Sequence, residues 1–273
     1  MTEVLNLEFW GVRGTCPVSG KNRCTYGGHT PCSSLEPPDG SNLIIDAGTG
    51  IKQLGDRFQK EKSGKPACLH LFLTHFHLDH IMGLPFFMPL YSPEVTLVIY
   101  ADYPPQKIEE YLSGFMGGHY FPVSFLETQS KKIFKQVHGE GIELGKNRIS
   151  HSPLHHPQGS VAYKIQSESS TLVFATDTEH PPEGIDRRLA EFSSDADALV
   201  YDAMFTPQEY ESGKRGWGHS TWLEGTKLAK ESGVKKLYLS HFNPDHSDSQ
   251  IDEIIALARE QFEQTFAARE ESG

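Results

Sequence analysis

Three histidines and one aspartate fall within six residues in His75-Phe76-His77-Leu78-Asp79-His80, directly after Thr74. Imidazole nitrogen and carboxylate oxygen together suit zinc, manganese or iron, and the lack of thiolate argues against a structural zinc knot. One short loop cannot wrap four groups round a single ion without strain, but it can aim them in two directions. The spacing therefore assigns His75 and His77 to one ion, and Asp79 and His80 to a second nearby. A solvated surface loop, the ordinary reading of isolated histidines, does not account for this density.

Such a loop needs a rigid support. Residues 69–73 form a short apolar run bounded like a buried β-strand, so the cluster stands at a strand end. Other apolar runs end in the same manner. Leu43-Ile44-Ile45 leads to Asp46, residues 172–175 to Asp177, residues 198–201 to Asp202, and Leu237-Tyr238-Leu239 to His241. Polar termini on one edge of a sheet converge, which is where open α/β folds place their sites. Ser240-His241-Phe242 echoes Thr74-His75-Phe76 and points to two similar halves. Asp46 reads as a support that accepts a hydrogen bond from the histidine loop and fixes its shape.

The remaining elements fill in the frame. A strand is expected over residues 4–10, followed by two glycine-rich loops, residues 11–17 and 26–30, with neither the lysine nor the helix pattern of a phosphate-binding P-loop. They read either as close backbone approaches or as a substrate lining. Helices are expected over 51–61, 81–87, 104–116 and 185–192, with an antiparallel region over 123–165. Thr221-x-x-Glu224 opens a further helix that Gly233 closes. A stripe at Ile251, Ile254, Ile255, Ala258, Phe262 and Phe266 marks the last one. Strands alternating with helices at both ends, and clustered in the middle, give two facing sheets covered by helices. No linker or composition shift divides residues 1–273, so they read as one domain.

Composition sets limits. The formal charge of −11 argues against a large nucleic-acid footprint, since phosphate contacts need clustered Lys and Arg. A hydrophobic content of 37% without a long apolar run predicts no membrane span, and the first ten residues lack a signal-peptide pattern. The expected location is the cytoplasm. There Cys16, Cys24, Cys32 and Cys68 would be free thiols, with Cys68 in the core.

His75-x-His77-x-Asp79-His80 after an apolar strand resembles the signature of the metallo-β-lactamase superfamily. The resemblance runs from Phe9-Trp10-Gly11 to His241 and implies a four-layer αββα sandwich, an α/β fold, with two divalent metal ions, zinc first, manganese or iron otherwise. It assigns His156 in His-Pro-Gln-Gly-Ser, rather than His155, as the third ligand of the first ion. Asp177 in Ala-Thr-Asp-Thr becomes the bridging carboxylate, and His241 in Leu-Ser-His-Phe-Asn-Pro the last ligand. Two ions about 3.5–4 Å apart can activate a bridging water for attack on phosphorus. His219 in Gly-Trp-Gly-His-Ser-Thr would protonate the leaving oxygen, with Asp202 orienting its ring. This pair resembles the phosphodiesterase branch that includes ribonuclease Z, which typically has glutamate where Asp202 stands.

No long clamping arm interrupts the chain between Asp177 and Asp202. The expected substrate is therefore a small phosphodiester such as a cyclic nucleotide. RNA 3′-end cleavage is the alternative, followed by thioester or other ester hydrolysis. The resemblance further implies a homodimer. Flavodiiron-type redox relatives ordinarily carry glutamate where His77 stands, together with a flavin domain for which 273 residues leave no length. A non-catalytic binding module would have lost ligands that are all present here. His119, Tyr120 and Phe121 form a loop with aromatic tips that could wall the site.

Overall fold

The alternation of apolar residues along the strands decides how the layers stack. The computed structural model describes residues 6–37, 39–62, 64–139 and 141–271. Its first sheet contains β1 (Asn6–Gly11), β2 (Cys32–Glu36), β3 (Asn42–Ile45), β4 (Ala67–Phe72), β5 (Val95–Ala101) and β6 (Lys131–Gln136), in that spatial order. Its second sheet runs from β7 (Ile142–Leu144) through β8 (Asn147–Leu154), β9 (Ser160–Gln166), β10 (Thr171–Ala175), β11 (Ala198–Asp202) and β12 (Leu237–Ser240) to β13 (Thr265–Ala267). In β3, Leu43 and Ile45 point into the core between the sheets, while Ile44 joins the outer cluster. In β5, Val98 and Tyr100 point inward, and Leu97 and Ile99 outward. Period two along a strand thus gives each sheet two apolar faces.

Helices cover the outer faces. α1 (Ile51–Lys62) and α3 (Pro105–Phe115) bury Ile51, Leu54, Ile108 and Leu112 against the first sheet. The second sheet is covered by α4 (Arg187–Phe192), α6 (Trp222–Ser232) and α7 (Asp248–Gln261) through residues such as Leu189, Leu228 and Ile254. This is the αββα order expected from the sequence. The short helices α2 (Leu78–Ile81) and α5 (Pro207–Glu211) lie in connections. Phe72, Tyr100 and Tyr163 lock the sheets together, Phe72 stacking on Tyr100 at 4.4 Å and meeting Tyr163 edge-on at 5.4 Å.

Several expectations shift. Of the strand expected over 4–10, Val4 and Leu5 lie outside the described residues. The helix expected over 81–87 is instead a helical turn at α2, carrying Asp79 and His80, followed by 3-10 turns at Leu84–Phe86 and Met88–Tyr91. Pro85 and Pro89 lack the N–H that a longer helix needs. β6, assigned by sequence to an antiparallel region, pairs parallel with β5, whereas β7, β8 and β9 are antiparallel as expected. α7 stops at Gln261, because Phe262 turns extended, and Phe266 belongs to β13 opposite Tyr238. Cys68 is exposed near the start of β4, and Cys32 is the buried cysteine.

The strand ends turn sharply. Asp46, Asp177 and His241 all have left-handed backbones, with φ of 60°, 59° and 58°. Such conformations cost about 1–3 kcal/mol each and persist where the surroundings enforce them. Glu271 N–H donates to Phe9 O at 2.9 Å, so the chain's last described residues fasten β1 beside β13 and join the two sheets.

Candidate metal centre

The ends of β3, β4, β10, β11 and β12 meet on one edge. Asp177 is at the middle. Its Oδ1 lies 3.9 Å from His75 Nε2 and 3.8 Å from His156 Nε2. Its Oδ2 lies 3.2 Å from His80 Nε2 and 3.3 Å from His241 Nε2. Asp79 Oδ2 approaches the same two rings, at 3.5 Å and 3.4 Å. His77 completes the first group, with Nδ1 3.1 Å from His156 Nε2. One carboxylate therefore faces two clusters, His75–His77–His156 and Asp79–His80–His241.

Neighbouring groups fix the rings. His80 Nδ1–H donates to Asp46 Oδ2 at 2.8 Å, while Asp46 also accepts from Thr74 N–H at 2.8 Å. His156 Nδ1–H donates to Gly218 O at 2.7 Å. A neutral imidazole that donates from Nδ1 presents a lone pair at Nε2, the form a metal ligand needs. Asp46 thus supports the loop as its sequence position predicts. His155, the rival of His156, is exposed and turned to Asp186 at 3.6 Å.

The second carboxylate–imidazole pair is equally well braced. His219 Nδ1 lies 2.9 Å from Asp202 Oδ2. Asp202 also accepts from the backbone N–H of Asp177, Met204 and Ser220, at 3.0, 3.1 and 3.1 Å. His219 precedes α6, whose N-cap Thr221 accepts from Glu224 N–H and whose C-cap Gly233 is left-handed.

The charges are tightly interlocked. Burial alone would raise the Asp79 carboxyl, but the His80 and His241 charges hold it well below the usual range. Burial likewise opposes ionisation of Asp177, and the same two rings reverse it. Burial pulls His75 far below an ordinary imidazole and lowers His156 too. His219 moves the other way, to about 9, because Asp202 outweighs its burial.

Three residues at the centre carry no signal in their type alone. Thr15 N–H donates to Asp79 Oδ2 at 2.7 Å, from the first glycine-rich loop. Gln158 Oε1 lies 2.6 Å from His77 Nε2. Glu179 accepts from the N–H of Gly216 and Gly218, at 2.7 and 2.8 Å, and so positions the carbonyl that holds His156. Its place two residues past Asp177 is the available clue. The glycine-rich loops act as close approaches: a β-carbon on Gly14 would stand 2.4 Å from the His241 ring. Gly218, with φ of +83°, leaves no more room beside His156. In the aromatic-tipped loop, Tyr120 is exposed and Phe121 packs on Phe86, and no described contact brings either to the centre. Beside His156 and Gly218 opens a cleft of about 630 Å³.

Residues 41–242 match the family model described as the beta-lactamase superfamily domain. The chain belongs to this superfamily. Among curated relatives, ribonuclease Z of Methanosarcina acetivorans is 24% identical, over 98% of this chain and 96% of its own. The metallo-beta-lactamase fold protein YhfI from Bacillus subtilis is a structural neighbour with a TM-score of 0.71 and 22% identity, over 99% of this chain and 98% of its own. A diphosphatase from the PhnP family gives 0.69 and 18% identity, over 98% and 96%. This superfamily hydrolase therefore has the fold and the ribonuclease Z-like kinship that its sequence resembles, and the superfamily's fold implies divalent metal ions.

The residues fit such ions. His75 Nε2, His80 Nε2, both ring nitrogens of His241 and Asp177 Oδ2 are buried with no hydrogen-bond partner. Buried polar atoms of this kind are costly unless something else satisfies them. Crowding of so many lone pairs round one carboxylate is the arrangement that cations stabilise.

Proposed function

We propose that the chain hydrolyses phosphodiesters at a two-ion centre. In this reading His75, His77 and His156 hold one ion, Asp79, His80 and His241 hold the other, and Asp177 lies between them. Zinc suits the imidazole-rich set best, with manganese or iron as alternatives. When bound, the ions supply Lewis-acid polarisation of a phosphoryl oxygen and a water acidified towards neutrality.

The observation that carries the reading is the Asp202–His219 pair beside Asp177. With Nδ1 bonded to Asp202, protonated His219 keeps Nε2–H for the leaving oxygen. Three backbone N–H donors hold Asp202 still, so the ring keeps its direction as the proton departs. An ester hydrolysis with a poor leaving group gains most from such a donor.

The substrate is RNA in the better supported version. Similarity to ribonuclease Z extends over nearly the whole of both chains, which supports RNA cleavage more strongly than the small phosphodiester that sequence reasoning puts first. A small phosphodiester stays as the second reading because the net charge is −11. Metal-quantified protein would be given bis-p-nitrophenyl phosphate, 3′,5′-cyclic nucleotides, an RNA with a 3′ trailer and a thioester. Turnover of a cyclic nucleotide or of the RNA, lost in His219→Ala, supports the proposal. A two-ion protein that cleaves only the thioester overturns it.

A further inference from the structure

The cleft beside His156 and Gly218 is a second feature of the centre that the hydrolytic residues do not use. We infer that it is a nucleoside subsite, holding the base and sugar next to the scissile phosphate. The inference rests on the phosphodiesterase reading and adds what that substrate must carry. The cleft shares His156 and Gly218 with the centre, and Gly218 adjoins the proton donor His219. A phosphoryl group placed there has this cleft as an immediate neighbour for one of its ester arms.

The walls favour a flat ring. Pro157, Pro181 and Pro182 supply rigid apolar surface, and His180 packs against Tyr210 with ring centres 4.3 Å apart. Bases stack on such faces whatever their identity. At about 630 Å³ the cleft falls in the range of roughly 300–1,000 Å³ that encloses a ligand of nucleotide size or somewhat larger.

The polar groups favour an anion or a hydroxyl on that ring's sugar. Glu179 is already saturated by Gly216, Gly218 and Tyr210, so its charge braces the loop and does not face a ligand unpaired. His180 Nδ1 bonds Ser220 Oγ at 2.9 Å, and no described hydrogen bond engages Nε2. Arg215 is held by exposed Glu211, at 2.6 and 2.7 Å, and lies over the Tyr210 ring at 5.9 Å. An exposed ion pair of this kind is weak, so a sugar hydroxyl or an anionic oxygen of the ligand can engage the guanidinium. His155 is exposed at the same cleft with Asp186 as a loose partner.

Both a cyclic nucleotide and an RNA 3′ end offer a nucleoside beside the scissile bond, and the test separates them. Thymidine 5′-p-nitrophenyl phosphate and bis-p-nitrophenyl phosphate share a leaving group and differ in the nucleoside. The metal-loaded protein should prefer the first in kcat/KM. His155→Ala/Arg215→Ala, two exposed positions, should cut that preference about tenfold through KM, the loss expected of a charge-assisted contact. Metal content should be unchanged. Running a 3′,5′-cyclic nucleotide and a short RNA alongside shows which source supplies the nucleoside. Hydrolysis of both aryl esters without a preference, or with a preference the double variant keeps, overturns the subsite. Absence of hydrolysis of the aryl esters, the cyclic nucleotide and the RNA alike overturns the phosphodiesterase reading itself.

Discussion

At the scale of single residues, the centre is a set of lone pairs organised by the groups behind them. Asp46 illustrates this. It touches His80 and Thr74 rather than the middle of the centre, yet it decides which nitrogen of His80 is bare. Asp46→Ala should weaken metal retention about 10–100-fold while leaving the ligands in place, measured by competition with a chelator. His219 is the other test. His219→Ala should lower kcat about 10²–10⁴-fold with metal content unchanged. A proton donor works only while charged. Activity should therefore decline as pH rises through the His219 value of about 9, and earlier with cations bound, since nearby positive charge disfavours the imidazolium. That alkaline limb should be missing in the alanine variant.

At the scale of elements, strand ends were the most legible feature of the sequence. Apolar runs that stop at Asp46, His75, Asp177, Asp202 and His241 declare both a strand and the polar group it delivers. The hydrogen bonds of Thr15 and Glu179 were not legible, because they depend on loops meeting across the fold. β6 was misplaced for a related reason: its short pattern, Lys131–Gln136, says nothing about which sheet it joins. Phe266 matched the α7 stripe by spacing alone, and the turn at Phe262 removed it. The Gly216–Gly218 loop is the element most open to test. Glu179→Ala frees both of its N–H groups and loosens the Gly218 carbonyl on His156. Activity should fall about 10–100-fold with the melting temperature little changed, since Glu179 lies outside the core.

At the scale of the whole molecule, the two sheets depend on a clasp between chain regions far apart in sequence. Arg13, wholly buried, donates to the carbonyls of Gly27, Asn243 and His246, tying the glycine-rich loops to the His241 loop. Glu270 accepts from His29 N–H at 2.6 Å in the same region. Burial raises its carboxyl to about 7, with His29 N–H and Arg13 opposing. The folded value lies above the unfolded one near 4.5, so its contribution to stability is present below pH 4.5 and is lost as pH rises through 7. Glu270→Gln keeps an acceptor for His29 and removes the charge. Its melting temperature should match wild type near pH 5 and exceed it near pH 8, in paired thermal scans.

The left-handed strand ends have a consequence for how this protein could change. A chain that holds Asp46, Asp177 and His241 against their own backbone preference is working against its durability for the sake of aim. Glycine at 177 relaxes the backbone at that point, whereas alanine keeps the strain and loses the carboxylate. Metal-free Asp177→Gly should therefore melt above Asp177→Ala, by the equivalent of about 1 kcal/mol. Descendants that abandon the chemistry would find robustness near at hand, and a sequence with glycine at these corners would mark one that had done so.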